Sequence, residues 1–178
     1  DGGAIFPEDD QLAYKLRGMV NHGMYVRYHH DEVGVNSRLD SIQAAILDIK
    51  LNYLDFYNEC RKAAAIKYTQ RLANHPKIIT PITRGDCDSH VYHQYTLRII
   101  DADRDALVKY LNEKNIPCGV YYPIPLHLQK AYKSDRYNEA DFEITNQVVN
   151  EVISLPMHTE LTDDQIELVT HEIKTFLT

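Results

Sequence analysis

The stretch from Ser37 to Asn74 most constrains what this chain can fold into. Ile42, Ile46, Ile49, Tyr53 and Phe56 recur at spacings of four, three, four and three, which lines them along one helical face. Ser37 with Asp40 three residues on has a capping-box pattern and predicts a helix start near Ser37. Helical character continues, with a bend expected near Asn52, through Ala64, Tyr68 and Leu72 to Asn74-His75-Pro76. About ten turns of near-continuous helix exceed what a small globular domain usually holds and predict an element that bridges two domains.

On the N-terminal side, Ala4-Ile5-Phe6 reads as a short strand, with Gly2 and Gly3 marking a tight approach. Pro7-Glu8-Asp9-Asp10 then supplies helix-start chemistry for a stripe of Leu12, Leu16 and Met19. Residues 21–34 read as a loop rich in His, Tyr and Gly. A chain opening on Asp-Gly-Gly without Met is expected to be the back part of something longer.

On the C-terminal side, Ile78-Ile79 predicts a short strand and Arg84–Ser89 a polar turn. Tyr95, Leu97 and Ile99 alternate with Gln94, Thr96 and Arg98, predicting a half-buried strand over 93–100. Residues 103–115 read as a helix, 117–122 as a strand and 142–153 as a helix. A last helix is opened by Thr162-Asp163-Asp164-Gln165 and carries Ile166, Val169, Ile173 and Phe176 on one side. Such an order makes an α/β unit of about 100 residues, an ordinary domain size.

A net charge of −7 argues against a nucleic-acid backbone as partner, which needs a basic face. No apolar run reaches membrane-spanning length and no signal peptide is seen. Cys60, Cys87 and Cys118 are odd in number and without CxxC spacing, which points to a reducing compartment, so the expected location is cytoplasmic.

Two stretches carry candidate chemistry. In GVNSRLDSIQAAIL, Asn36 and Arg38 precede a helix. Unpaired N–H groups at a helix N-terminus, an amide and a planar guanidinium together suit a phosphate or carboxylate. Read by pattern alone, the same residues also fit a turn asparagine and a surface charge. In GVYYPIPLHLQKAY, Pro123 and Pro125 stiffen the backbone after a strand end, beside Tyr121, Tyr122 and His127. Phenol and imidazole there suit a hydroxylated substrate, or else the tyrosines cover the core. His29-His30-Asp31 and the pair His90 and His93 lack ligand-spaced partners, so no metal site is expected.

Taken together, DGGAIF, NHGM with RYHHDEVGVNSRLDSIQAAIL, GVYYPIPLHLQKAY and SLPMHTELTDDQI resemble the successive landmarks of the DegT-type sugar aminotransferases. These are pyridoxal-phosphate enzymes of aspartate aminotransferase fold (fold type I) acting on nucleotide-linked keto-sugars. The resemblance implies an α/β fold made of the C-terminal part of such an enzyme. Residues 1–35 would end the large cofactor domain, 36–76 form the connecting helical segment and 77–178 the small α/β domain.

The same resemblance implies site roles. Asn36 would reach the cofactor phosphate of the other subunit of a homodimer with shared active sites. Arg38 would contact substrate through a carboxylate or diphosphate. Tyr121 and Tyr122 would line the sugar site, with Tyr where the family often has His, and His127 would face the substrate. The family's covalent lysine, which also shuttles the proton, is expected upstream of Asp1, so no catalytic residue is expected in this chain and it should not transaminate alone. The resemblance implies glutamate as the amino donor and leans towards an N-acetylated or uronic keto-sugar as acceptor. Two alternatives stay open: a regulatory or assembly module of the same fold, and a sugar dehydratase with His in place of the lysine.

Overall fold

Asp9 accepts hydrogen bonds from the backbone N–H groups of Gln11 and Leu12, and α1 (Asp10–Met19) starts behind this cap in the computed structural model. The structure describes residues 3–84 and 89–178. They fall into two units that divide between Leu54 and Asp55. The polar turn read over 84–89 therefore lies largely outside the described residues.

In the first unit, α1 leads into a small hairpin of β1 (Met24–Val26) and β2 (His29–His30), paired antiparallel. Then follows α2 (Ser41–Leu51). The expected strand at residues 3–6 does not form, and Ile5 and Phe6 lie exposed. A strand is held by ladder hydrogen bonds, and among the described residues this segment pairs with neither sheet. The 21–34 loop contains the hairpin, which has too few residues to display a period.

The helix start is also corrected. The cap of α2 is Asp40, whose carboxylate accepts the Gln43 N–H at 2.9 Å, and not Ser37. The long helical run breaks at the expected place: α2 ends at Leu51 with Asn52 as cap, and α3 (Leu54–Leu72) follows. No residue of α2 is buried, and its Ile42, Ile46 and Ile49 are exposed.

The second unit is an α/β layer pair. β3 (Ile78–Ile79), β4 (Tyr95–Ile99) and, later in the chain, β5 (Val152–Leu155) form an antiparallel sheet with β4 central. Leu97 faces Ile153 across the β4–β5 pairing. Between those strands lie α4 (Arg104–Glu113) and α5 (Glu143–Val149), and α6 (Asp163–Leu177) closes the chain. Tyr68 and Leu72 of α3, Leu107 and Leu111 of α4, and Ile166 and Ile173 of α6 are fully buried in one core with β4 and Ile153. Each such aliphatic side chain contributes about 1.5–3 kcal/mol of burial.

Two polar ties fix this core in register. Tyr68 stacks on Tyr95 with ring centroids 5.1 Å apart and donates its hydroxyl to the Pro156 carbonyl at 3.1 Å. Arg104, almost fully buried, donates to the carbonyls of Val152 at 2.6 Å and Val149 at 3.1 Å. The last helix opens at Thr162 as the sequence predicts, and the structure adds a reciprocal cap between Thr162 and Gln165.

Two expectations fail here. Residues 142–153 are not one helix: α5 ends at Val149 and Ile153 belongs to β5. A four-residue run buried on both faces has no alternation to identify it, and its pairing with β4 is non-local. The 117–122 strand reduces to a single antiparallel bridge, Gly119 with Ser154. Pro117 lacks an N–H and Pro123 interrupts the other side, so no longer ladder is sustained. Among the described residues no helix is long and apolar enough to cross a membrane.

Candidate functional site

In the first unit, the segment holding Asn36 is clamped against the end of α1. Val35 N–H donates to the Met19 carbonyl at 2.7 Å, and Ser37 N–H donates to that of Val20 at 3.0 Å. His22 N–H donates back to Val35 at 2.9 Å, completing an antiparallel bridge between Asn21 and Asn36. The chain turns into this clamp through His22 and Gly23, both at positive φ. A Cβ on Gly23 would stand 1.8 Å from the Glu32 carbonyl oxygen, so the turn admits no side chain there. Beneath it the Tyr25 ring stacks on Tyr14 at 4.7 Å. The Tyr25 hydroxyl donates to the Glu32 carboxylate, which holds its proton and pushes the phenol up to about 12.

Arg38 donates from its guanidinium to the Asn21 side-chain oxygen. Asn21 therefore gathers both candidate residues, pairing with Asn36 through its backbone and with Arg38 through its amide. Its positioning role is not visible in the sequence, where residues 21–34 read only as a loop. The Asn36 side chain forms no hydrogen bond with the described residues, which leaves its amide available. Asp40 caps α2 by accepting the Gln43 N–H alone, and Asn36 and Arg38 lie on the extended segment ahead of that cap.

In the second unit, the Gly119–Ser154 bridge places Tyr121 beside β5. A Cβ on Gly119 would lie 2.7 Å from the Tyr121 ring, so the ring lies directly on the glycine. Tyr121 borders a cavity of 340 Å³ together with His93, Cys118, Ser154 and Met157. Burial pushes the Cys118 thiol above its ordinary pKa. Tyr122 meets Tyr121 edge to face at 6.0 Å and is largely exposed.

His127 sits in a single helical turn, Leu126–Leu128, after Pro125. It does not join the tyrosines. Its ring stacks on Phe142 at 4.3 Å and faces a separate hollow of 830 Å³ that Tyr132, Arg136 and Tyr137 also line. A third hollow of 360 Å³ is lined by Tyr122 and shares Leu126 and Thr145 with the hollow at His127. The Nε2 atom of His127 is buried without a hydrogen-bond partner among the described residues.

Among the described residues no three His, Cys, Asp or Glu side chains gather at metal-binding distance. His90 instead stacks on Tyr92 at 4.0 Å and accepts its backbone N–H.

The sequence matches the model of the DegT/DnrJ/EryC1/StrS aminotransferase family over residues 1–174. It is 42% identical to the pleiotropic regulatory protein of Geobacillus stearothermophilus, over 99% of this chain and 47% of that one. It is 39% identical to the dTDP-3-amino-3,6-dideoxy-alpha-D-galactopyranose transaminase of Aneurinibacillus thermoaerophilus, over 98% of this chain and 47% of that one. The solved structure of S. venezuelae DesV in complex with ketimine intermediate superposes with a TM-score of 0.85 at 36% identity, covering 94% of this chain and 44% of that one. The chain thus spans about half the length of the curated relatives it matches. The α/β fold is the one it shares with these aminotransferase structures, as the four sequence landmarks led one to expect. With the match running through both units, the chain belongs to the DegT/DnrJ/EryC1/StrS aminotransferase family.

Proposed function

We propose that this chain is the C-terminal portion of a pyridoxal-phosphate-dependent aminotransferase that moves an amino group, with glutamate as donor, onto a nucleotide-linked keto-sugar. The observation that carries this is the Asn21–Asn36–Arg38 clamp: an amide with free donors and a guanidinium, both tied to one asparagine on a rigid extended segment. Free amide donors on a fixed backbone fit a phosphate, so the residues present suit the cofactor. When bound, pyridoxal phosphate supplies the electron sink that amino transfer requires.

Asn36 donates its amide N–H to the cofactor phosphate of a second copy in a homodimer, and Arg38 holds a carboxylate or diphosphate of the substrate. Tyr121 and Tyr122 offer hydroxyls to the sugar at the end of the Gly119 bridge. His127 contacts the substrate from the neighbouring hollow. The whole protein is the proposed catalyst, since the covalent lysine is expected upstream of Asp1. The division into 1–35, 36–76 and 77–178 and a cytoplasmic location belong to the same proposal.

The test uses the longer protein that contains this chain, incubated with glutamate and UDP- or dTDP-linked keto-sugars, with products read by mass spectrometry. Amino-sugar formation is expected. In Asn36→Ala the cofactor should bind roughly tenfold more weakly, because a hydrogen bond to a charged acceptor is lost. A second reading, a regulatory module, is favoured by the name of the Geobacillus relative. Sugar-nucleotide binding without transfer would support it and sink the first. Loss of a sugar hydroxyl without gain of nitrogen would mark a dehydratase.

A further inference from the structure

Arg38 is exposed, and among the described residues no carboxylate pairs with it. Its guanidinium donates instead from Nη2 to the side-chain oxygen of Asn21. A guanidinium only donates, so the amide oxygen faces it and the amide N–H groups point away. Asn21 itself is half-buried and held by its backbone: its N–H donates to the Gly18 carbonyl at 3.0 Å, and its carbonyl accepts the Met24 N–H at 3.2 Å. The segment leading to Asn36 is pressed closely onto this turn. A Cβ on Gly34 would lie 2.1 Å from the Gly23 nitrogen and 2.5 Å from the Met19 carbonyl oxygen. The amide oxygen is thus a fixed anchor, and the long side chain of Arg38 is the part it orders.

A free arginine side chain loses rotamer freedom when it closes on an anion, and a bond made beforehand removes much of that cost. A carboxylate at position 21 would hold the guanidinium as firmly but would cancel its charge. An amide holds it and leaves the charge for an incoming anion. The link to Asn36 is of a different kind. It runs through backbone groups of neighbouring residues, from His22 N–H to the Val35 carbonyl and from Ser37 N–H to the Val20 carbonyl, so it survives loss of the Asn21 side chain.

We propose that Asn21 is a positioning residue for Arg38: its amide oxygen sets the guanidinium in place for a substrate anion without neutralising it, and its side chain takes no part in holding the cofactor through Asn36. The identity of the anion rests on the aminotransferase proposal above; the ordering of Arg38 rests on the contacts of Asn21. Substrate affinity and cofactor affinity then depend on different parts of one residue, the amide for the first and the backbone bridge for the second.

The experiment uses the longer protein that contains this chain, loaded with pyridoxal phosphate, as parent, Asn21→Leu, Asn21→Asp, Arg38→Ala and the Asn21→Leu/Arg38→Ala pair. Calorimetry reads the affinity for UDP-glucuronate and dTDP-glucose, which carry a diphosphate, and in the first a carboxylate, without a ketone to react. Absorbance reads the cofactor affinity, and circular dichroism checks that the variants stay folded. In Asn21→Leu the sugar nucleotide should bind roughly three- to tenfold more weakly, the cost of ordering one long side chain, with cofactor affinity unchanged. Asn21→Asp keeps the bond yet should lose at least as much, because its carboxylate cancels the guanidinium charge. In the Arg38→Ala background Asn21→Leu should add no further loss. Asn21→Asp binding as tightly as the parent would make the contact merely structural and overturn the proposal. It is overturned equally by unchanged affinity in Asn21→Leu, by cofactor weakened as much as sugar nucleotide, by additive losses in the pair, or by a parent that binds neither probe. Amino transfer from glutamate is assayed separately, so its absence beside the expected binding pattern would sink the aminotransferase reading alone.

Discussion

Replacing Arg104 with Met tests what holds β5 beside the candidate site. The guanidinium is 7% exposed and donates to two backbone carbonyls, Val152 at 2.6 Å and Val149 at 3.1 Å. Its Nε also bonds the Asp105 carboxylate at 2.7 Å, but that carboxylate is 83% exposed and the pair adds at most about 1 kcal/mol. Methionine keeps most of the stem volume and supplies no donor. Each carbonyl left without a partner costs about 1–3 kcal/mol, and relief from burying the charge offsets part of the sum. A net loss of about 2–4 kcal/mol follows. Urea unfolding followed by circular dichroism reads it as a fall in midpoint of about 1–2 M, for a slope near 2 kcal/mol/M. Because β5 continues into Leu155, Pro156 and Met157 at the Tyr121 cavity, the loss should be accompanied by faster amide exchange at Gly119 and Ser154. A variant within about 0.5 kcal/mol of the parent, with that exchange unchanged, would refute the idea that these two hydrogen bonds anchor the strand.

Tyr95 is fully buried, and burial pushes its phenol up to about 12, with Tyr68 shifted the same way. The folded state thus favours the protonated phenols: their contribution is intact below about pH 10 and is lost as pH rises through 12, about 3 kcal/mol for Tyr95. Urea midpoints measured from pH 9 to 12 should fall, less so in Tyr95→Phe; a flat profile would contradict the burial. Gly23→Ala should destabilise the first unit by at least about 1–2 kcal/mol, since φ is +72° and the new Cβ meets the Glu32 carbonyl. Faster hydrogen exchange at Val35 and Ser37 is the readout, and unchanged protection would show that the clamp does not depend on this turn. Thr162→Ala removes the side chain that accepts the Gln165 N–H and should lower stability by about 1 kcal/mol, seen as a lower melting temperature.

Short-range chemistry was legible before any coordinates. The helix start at Thr162, the helix start after Pro7 and the alternation that became β4 each depend on residues a few positions apart, so the sequence displays them directly. Asn36, Arg38, Tyr121, Tyr122 and His127 also stand out in the sequence, because their landmarks occur in the order typical of one family.

What the tertiary structure decided is non-local. Ile153 lies in a strand because β4, more than fifty residues earlier, offers an edge; within its own segment the apolar run suits a helix equally. Asn36 and Arg38 are brought together by Asn21 through a bridge closed by positive φ at His22 and Gly23, and no local pattern encodes that pairing. His127 turns to Phe142 and away from the tyrosines five and six residues before it, since stacking on a distant ring outweighs proximity in sequence. By itself the sequence determined α1, α4 and α6, the bend near Asn52 and the identity of the chemical groups, but neither the cap of α2 nor the end of α5. Which groups share a site was set by backbone hydrogen bonds and packing between segments far apart in the chain, whose free energy exists only once the chain has closed on itself.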